Sequence, residues 1–161
     1  MFVFYCILAV VVALDRAAKI WAGNLLIQVG SMVILPGFLE FRYAANRGMA
    51  LGFLSDQWLP NLILPLTAVM VWLLAGRRYK ATRYKQIATA LMLGGFAGNF
   101  ADRLLFGHVV DMIFFPWLPW FICNLADIAI CAGVAMLVIS LVYRSQDWRV
   151  LHGEDDRKSA L

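Results

Sequence analysis

Two acidic residues, Asp111 and Asp127, have the residue type and the placement for acid–base chemistry beside a membrane. Asp127 lies in one apolar segment and Asp111 just beyond another, and neither has a basic residue at helical spacing. When two carboxylates lie close together, one keeps its proton and the other does not, so the pair can activate water and protonate a carbonyl oxygen. Carboxylates within a bundle also serve proton-coupled transporters, so spacing alone leaves a small membrane transporter as the alternative.

Further polar residues share the apolar segments: Asp15, Lys19, Asn99, Asp102, Arg103 and Asn124. An ionisable side chain at the centre of a spanning helix costs about 2.5–3.5 kcal/mol, so the four ionisable residues in this set are functional candidates. A helix rises 1.5 Å per residue, so Asp15 lies about 21 Å, Asn99 about 20 Å and Asp127 about 24 Å from the predicted cytoplasmic end of its own segment. The three residues are therefore expected at a similar depth in the membrane. The pairs Asp15–Lys19 and Asp102–Arg103 can equally be charge pairs that only neutralise one another.

The composition predicts a membrane protein. The chain of 161 residues is 63% hydrophobic and 15% charged, whereas soluble chains carry about 25% charged residues. Its mean hydropathy is +0.76. The net charge of +4 does not indicate nucleic-acid binding, because five of the fourteen basic residues fall within 77–85, beside an apolar segment, where they set topology. One membrane domain, 1–161, is expected.

The cysteines and histidines offer little for a metal or a covalent nucleophile. Three cysteines without CxxC spacing do not form a zinc site or a disulfide framework, and His108 and His152 are the only histidines. We therefore expect no metal and no cofactor, and the scarcity of histidine leaves no Ser–His or Cys–His arrangement to compete with the carboxylates.

Four apolar segments predict an all-α membrane protein with four transmembrane helices, at roughly 1–27, 61–76, 86–105 and 124–143. The basic segment 77–85 is predicted to be cytoplasmic, which places both termini and the polar tail 144–161 in the cytoplasm. The end of that tail, 152–161, is predicted to be disordered. The extracytoplasmic loop 28–60 contains alternating residues at 39–43 that favour a strand of a small surface β-sheet. The aromatic stretch 114–121 is typical of a lipid–water interface.

In order along the chain, five motifs resemble the lipoprotein signal peptidase (signal peptidase II) family. They are Asp15-Arg-Ala-Ala-Lys19, Asn46-Arg-Gly-Met-Ala-Leu-Gly52, Gly94-Gly-Phe-Ala-Gly-Asn-Phe-Ala-Asp-Arg103, Gly107-His-Val-Val-Asp111 and Asn124-Leu-Ala-Asp127. The resemblance implies a multi-pass aspartic endopeptidase of the bacterial inner membrane, with its active site toward the outer face. Such enzymes cut prolipoproteins before a cysteine that carries a diacylglyceryl group, and globomycin-type cyclic peptides inhibit them.

The resemblance also implies roles for individual residues. Asp111 and Asp127 match the family's catalytic aspartates, and residues that hold substrate or order that pair match Asp15, Asn46, Gly48, Asn99, Arg103 and Asn124. A short interfacial helix is implied within loop 28–60. The expected partners are the lipidated prolipoprotein and membrane lipids, with the chain itself a monomer. Four positions depart from the family pattern and put the fine tuning of the site in doubt: Ala18, Leu51, Cys123 and Ile128.

Overall fold

A computed structural model describes residues 2–47 and 82–148. Helix α1 runs over Phe2–Val29 and leads into strands β1 (Ser31–Leu35) and β2 (Leu39–Asn46). Helix α2 (Arg83–Phe106) is followed by strands β3 (Val109–Phe114) and β4 (Ile122–Cys123), then by helix α3 (Leu125–Tyr143) and a 3-10 helix at Ser145–Trp148. Several predictions concern other residues and lie outside this description: the span 61–76, Gly48, Leu51, the interfacial helix beyond residue 47, and the tail from 149 onward.

Local chemistry explains where these helices begin and end. Thr82 caps the start of α2, and its hydroxyl accepts a hydrogen bond from the Lys85 N–H at 3.4 Å. Gly107 ends α2 in the left-handed region with φ of 71°, and its N–H donates to the Arg103 carbonyl at 3.1 Å. Glycine suits this position because it carries no Cβ. The chain therefore turns sharply out of α2 into β3.

The four strands form one antiparallel sheet in the order β1-β2-β3-β4. The sequence predicts a small sheet from loop 28–60, and β1 and β2 confirm that part. The inner strand β3, which pairs with β2 and β4, comes instead from the connection between α2 and α3 and is not predicted by the sequence. Every residue of β3 is buried, and all but Asp111 are apolar. The strand therefore lacks the alternation of a half-buried strand, and periodicity cannot distinguish it from the end of a helix.

The sheet is anchored to the end of α1. Ala22 and Leu26 of α1 pack with Met112 and Ile113 of β3 in one apolar cluster. Trp21 adds an edge-to-face contact with a neighbouring aromatic ring on β2, at 5.5 Å between centroids. Since β3 carries Asp111, this packing fixes the height of that carboxylate relative to the helices.

Glycines let the three helices approach closely. A Cβ at Gly94 would lie 3.0 Å from the Val11 side chain of α1, and a Cβ at Gly133 of α3 would lie 2.5 Å from the Ala88 carbonyl of α2. Gly94 is therefore a packing residue between α1 and α2. By length and composition, α3 is the one helix in the described ranges that could cross a membrane. The longer helix α1 carries three charged residues, Asp15, Arg16 and Lys19. The prediction of four spans stays a prediction.

The segment after α3 is docked onto the start of α2. The Asp147 carboxylate is fully buried and accepts hydrogen bonds from Ser140 at 2.8 Å and Arg144 at 2.7 Å. Lys85 of α2 donates to the Asp147 carbonyl oxygen at 2.9 Å, and its ammonium lies 4.6 Å from the Trp148 ring. The first residues of the predicted cytoplasmic tail therefore form an ordered contact between α3 and α2.

This contact predicts a pH-dependent stability. Burial acts to raise the pKa of Asp147, but the hydrogen bonds from Arg144 and Ser140 outweigh it and lower that pKa. A lowered folded-state pKa stabilises the protein above the unfolded value of about 3.9, and the gain is lost as the pH falls through the folded-state pKa. Asp147→Asn is expected to cost about 1–2 kcal/mol at neutral pH, or a few degrees in Tm. Thermal unfolding in detergent should show the two proteins converging below about pH 4; a Tm difference that is constant with pH would contradict this account.

Candidate active site

Asp111 lies on β3 with 1% of its surface exposed. In the sheet register it faces Ala44 of β2, and Asn46 lies two residues further along β2, so its side chain points to the same face as Asp111. The Asn46 amide donates to Asp111 Oδ2 at 2.8 Å, and the Asn124 amide donates to Oδ1 at 2.6 Å. Strand pairing therefore brings Asn46 to the carboxylate from 65 residues away.

Asp127 occupies the first turn of α3, where it completes a capping box with Asn124. The Asn124 side-chain oxygen accepts from the Asp127 N–H at 2.9 Å, and Asp127 Oδ2 accepts from the Asn124 N–H at 3.1 Å. The Asn99 amide of α2 donates to Asp127 Oδ1 at 2.8 Å. The cap thus fixes the rotamer of Asp127 as well as the start of the helix.

Asn124 joins the two acids. Its side-chain amide donates to Asp111, and its backbone N–H donates to Asp127. The residue is completely buried, so these hydrogen bonds do not compete with water. Asn124 holds the carboxyl groups of a strand and a helix in one fixed arrangement.

The electrostatics of the pair favour a retained proton. Burial, together with the charge of Asp127, raises the pKa of Asp111 to about 6, against the lowering effect of the hydrogen bonds from Asn46 and Asn124. The Arg103 guanidinium interacts electrostatically with both carboxylates and donates to the Asn99 carbonyl oxygen at 3.2 Å. The arrangement combines a buried acid whose pKa is raised into the mildly acidic range with a second, half-buried carboxylate.

A buried charge cluster lies beside the pair. Lys19 Nζ lies 2.7 Å from Asp15 Oδ2 and 2.9 Å from Asp102 Oδ2, and Arg16 lies 3.2 Å from Asp102 Oδ1. The predicted Asp15–Lys19 pair is confirmed. The ion pairs of Asp102 cross from α2 to α1, which spacing within α2 could not show. Asp15 Oδ1 also accepts from the Ala126 N–H at 2.9 Å, so it connects α1 to the first turn of α3.

The structure brings together seven of the eight residues predicted for the site: Asp15, Asn46, Asn99, Arg103, Asp111, Asn124 and Asp127. The eighth, Gly48, lies outside the described residues. Two residues that the prediction left out of the site lie beside it: Lys19 contacts the site residue Asn99, and Arg16 contacts Asp102, which also pairs with Lys19. Their signal in the sequence was only a charge within an apolar segment. In 2–47 and 82–148, no three His, Cys, Asp or Glu residues are grouped as metal ligands.

Cys123, one of the departures, lies at the edge of the site. Burial raises the pKa of the Cys123 thiol to about 12, with a smaller contribution from the charge of Asp127. The thiol is therefore neutral at physiological pH and packs with Ile113 and Met112 as an apolar side chain.

Close packing at Gly95 positions the start of α3. A Cβ at Gly95 would lie 2.8 Å from the Ile130 side chain and would overlap the Ala126 carbonyl oxygen, which belongs to the backbone beside Asp127. Gly95→Ala is expected to destabilise the protein by about 1–3 kcal/mol, as overpacking does, and to lower activity by moving Asp127. Gly23→Ala is the matched control, because a Cβ there meets nothing within 4 Å. Thermal unfolding of both variants checks this; equal Tm values for the two would contradict it.

Comparison with known proteins gives consistent matches over most of the chain. The family model described as signal peptidase (SPase) II matches residues 7–143. A lipoprotein signal peptidase of Pseudomonas aeruginosa is 34% identical over 157 residues, which cover 91% of this chain and 92% of that protein. A lipoprotein signal peptidase of Syntrophomonas wolfei is 35% identical over 133 residues, covering 82% of this chain and 88% of that protein.

Solved structures agree in fold. A bacterial membrane enzyme determined by the in meso method at 2.3 Å resolution is 26% identical, with a TM-score of 0.72 and coverage of 96% of both chains. A second structure of a bacterial membrane enzyme, at 1.9 Å resolution, gives a TM-score of 0.74 over 89% of this chain and 95% of the other.

Proposed function

This chain belongs to the signal peptidase II family, and from that premise we propose that it removes the signal peptides of prolipoproteins with Asp111 and Asp127 as its catalytic pair. The relatives named lipoprotein signal peptidase support the reaction and its substrate class. One observation carries the residue assignment. Asn124 donates hydrogen bonds to both acids, so a strand and a helix present two carboxyl groups to one small volume.

In the proposed mechanism, Asp111 is the acid and Asp127 is the base. Asp127 accepts a proton from a water molecule as the water oxygen attacks the scissile carbonyl carbon, and Asp111 donates its proton to the carbonyl oxygen. The tetrahedral intermediate then collapses: Asp127 passes the proton to the leaving amine nitrogen, and Asp111 recovers its proton from the hydroxyl. The C–N bond breaks, and the water oxygen ends in the new carboxylate of the signal peptide.

The burial of the two acids supports this assignment of roles. Asp111 is the more enclosed, and its raised pKa of about 6 keeps it protonated into the mildly acidic range. Asp127 is half-buried and receives an N–H group on each oxygen, so it is the more open of the two acids to an attacking water molecule, which suits the role of the base. Arg103 supplies positive charge beside both groups.

We further propose that the scissile bond lies at the outer face of the bacterial inner membrane, immediately before a cysteine carrying a diacylglyceryl group. The chain then crosses the membrane four times with both termini in the cytoplasm, and the sheet lies at the outer ends of α1 and α2. The exposed aromatic residues Phe38, Trp117 and Trp120 support an interfacial position for that sheet. The site is built from residues of one chain, which supports a monomer as the active unit.

Asn46 provides a pH test of the pair. Its hydrogen bond lowers the pKa of Asp111, so removing it in Asn46→Ala raises that pKa. Asp111 must be protonated to act as the acid, and activity is therefore lost as the pH rises through the pKa of the pair. The alkaline limb of the kcat/KM profile is expected to move to higher pH in Asn46→Ala. A limb that stays in place or moves to lower pH would contradict the role of Asp111.

The reaction itself is tested with a purified precursor. The full chain in detergent or liposomes is incubated with a diacylglyceryl-modified prolipoprotein and, separately, with the same precursor lacking the lipid. We expect a shortened product from the lipidated precursor only, and we expect globomycin to prevent its formation. Equal cleavage of both precursors would refute the proposed lipid requirement, and no cleavage of either would refute the proposed function.

A further inference from the structure

Lys19 is enclosed by the three helices, with none of its side-chain surface exposed. Its ammonium nitrogen has three oxygens around it: Asp15 Oδ2 at 2.7 Å, Asn99 Oδ1 at 2.8 Å and Asp102 Oδ2 at 2.9 Å. An ammonium can only donate hydrogen bonds. Lys19 donates one to Asn99 Oδ1, and the two carboxylates lie at ion-pair distance and balance its charge.

Charge balance alone does not explain this arrangement. Asp15 and Asp102 carry two negative charges, and Lys19 and Arg16 carry two positive ones, so the cluster is neutral without Asn99. The third contact of Lys19 is directed at an uncharged amide, and that amide leads to the catalytic pair. Asn99 uses its oxygen toward Lys19 and its nitrogen toward Asp127.

An asparagine amide is nearly symmetric in shape, so its neighbours decide which end is which. Lys19 can only donate, and it therefore holds the Asn99 oxygen toward itself and directs the NH2 group toward Asp127. The same oxygen accepts from the Asn124 amide at 3.1 Å, which helps to orient the nitrogen that donates to Asp111. One cation thus sets the direction of hydrogen bonding at both carboxylates.

We propose that Lys19 is a positioning residue of the reaction: it fixes the orientation of the Asn99 amide, so that an N–H and not an oxygen faces the Asp127 carboxylate. This inference rests on the proposed function. With the amide reversed, its oxygen would face the carboxylate of the base and its NH2 would face an ammonium, and both contacts would be repulsive. Lys19 is too deeply buried to touch substrate and acts through Asn99.

The test must remove the ammonium without leaving an unbalanced buried charge. Lys19→Met keeps the length of the side chain but leaves two carboxylates with one cation, which endangers the fold. The double variant Lys19→Met/Asp102→Asn is neutral, because Asp15 and Arg16 remain. Asp102→Asn alone is the matched reference, since it keeps the ammonium and its contact with Asn99. The positive charge left in excess in this reference falls on Arg16, whose side chain is 44% exposed to solvent.

Three quantities are compared between the double variant and the Asp102→Asn reference: Tm, the separate values of kcat and KM for the lipidated precursor, and the pH–rate profile. We expect similar Tm values, a kcat lower by on the order of 10²-fold with little change in KM, and an acid limb moved to higher pH. The other charged groups that interact with the pair remain in both proteins: Asp15 from α1, Arg103 from α2, and Asp111 and Asp127 themselves. A role confined to folding would change Tm and leave the acid limb in place.

Equal kcat and an unmoved acid limb in the two proteins would overturn the positioning role. Loss of the folded state in the double variant would assign Lys19 to the fold and would also overturn it. Failure of the unmodified chain to cleave the lipidated precursor would refute the proposed function, and this inference with it, before any variant is compared.

Discussion

Asp127→Asn and Asp111→Asn are each expected to reduce kcat for cleavage of a lipidated precursor by about 10³-fold or more, because general acid and general base catalysis each contribute about 10²–10⁴-fold. An amide at position 127 cannot accept the proton of the attacking water. An amide at position 111 cannot protonate the carbonyl oxygen and recover the proton afterwards. The measurement is the rate of product formation by each purified variant under saturating substrate.

The folded state should survive both substitutions, because asparagine has the size of aspartate and its oxygen can still accept a hydrogen bond. Glu40→Gln is a suitable control, since it makes the same acid-to-amide change on β2 at a residue paired with Arg42. The control is expected to cleave at the normal rate. A folded Asp111→Asn or Asp127→Asn variant with the rate of the control would remove that residue from the catalytic pair.

Asn124→Ser is expected to lower kcat by on the order of 10²-fold with little loss of stability, because a small displacement of a reacting group can cost that much. Serine is as good an N-cap as asparagine, so the hydroxyl can still accept from the Asp127 N–H and preserve the start of α3. The serine side chain is too short to replace the amide that donates to Asp111 at 2.6 Å. The variant therefore separates capping from the connection between the two acids.

The companion variant Asn124→Ala removes both functions. Its stability should fall by about 1 kcal/mol relative to Asn124→Ser, the typical value of an N-cap, while its kcat should be similarly low. Thermal unfolding and cleavage rates of the two variants give the comparison. Normal cleavage by a folded Asn124→Ser protein would show that the hydrogen bond between Asn124 and Asp111 does not order the pair.

The helices were predictable because their signals are local. Apolar length located α1, α2 and α3 to within a few residues, and Thr82, Gly107 and Asn124 have the residue types of helix caps. Strand β3 was not predictable in the same way, because its partner β2 lies far away in sequence and its two buried faces erase the alternation of a strand. The placement of Asp111 on a sheet, beside Asn46, is therefore information that the structure adds.

The sequence predicted which residues form the site better than it predicted the hydrogen bonds that join them. Depth along the helices predicted that Asp15, Asn99 and Asp127 lie at a similar level. The hydrogen bonds agree with that prediction: Asn99 bonds to Asp127 and to Lys19, and Asp15 bonds to the Ala126 N–H. The direction of the Asn99 amide could not be predicted, because it depends on an ammonium from another helix. Family membership removes the alternative of a proton-coupled transporter, which spacing alone had left open.

The most direct test of the central claim follows the oxygen atom of the attacking water. A single turnover is run in oxygen-18 water with enzyme in excess over lipidated precursor, and the released signal peptide and the enzyme are analysed by mass spectrometry. Water activated between Asp111 and Asp127 places one oxygen-18 atom in the new carboxylate of the signal peptide and none in either aspartate. An unlabelled signal peptide, with oxygen-18 in the side chain of Asp111 or Asp127, would show that a carboxylate attacks the peptide bond itself and would contradict the account.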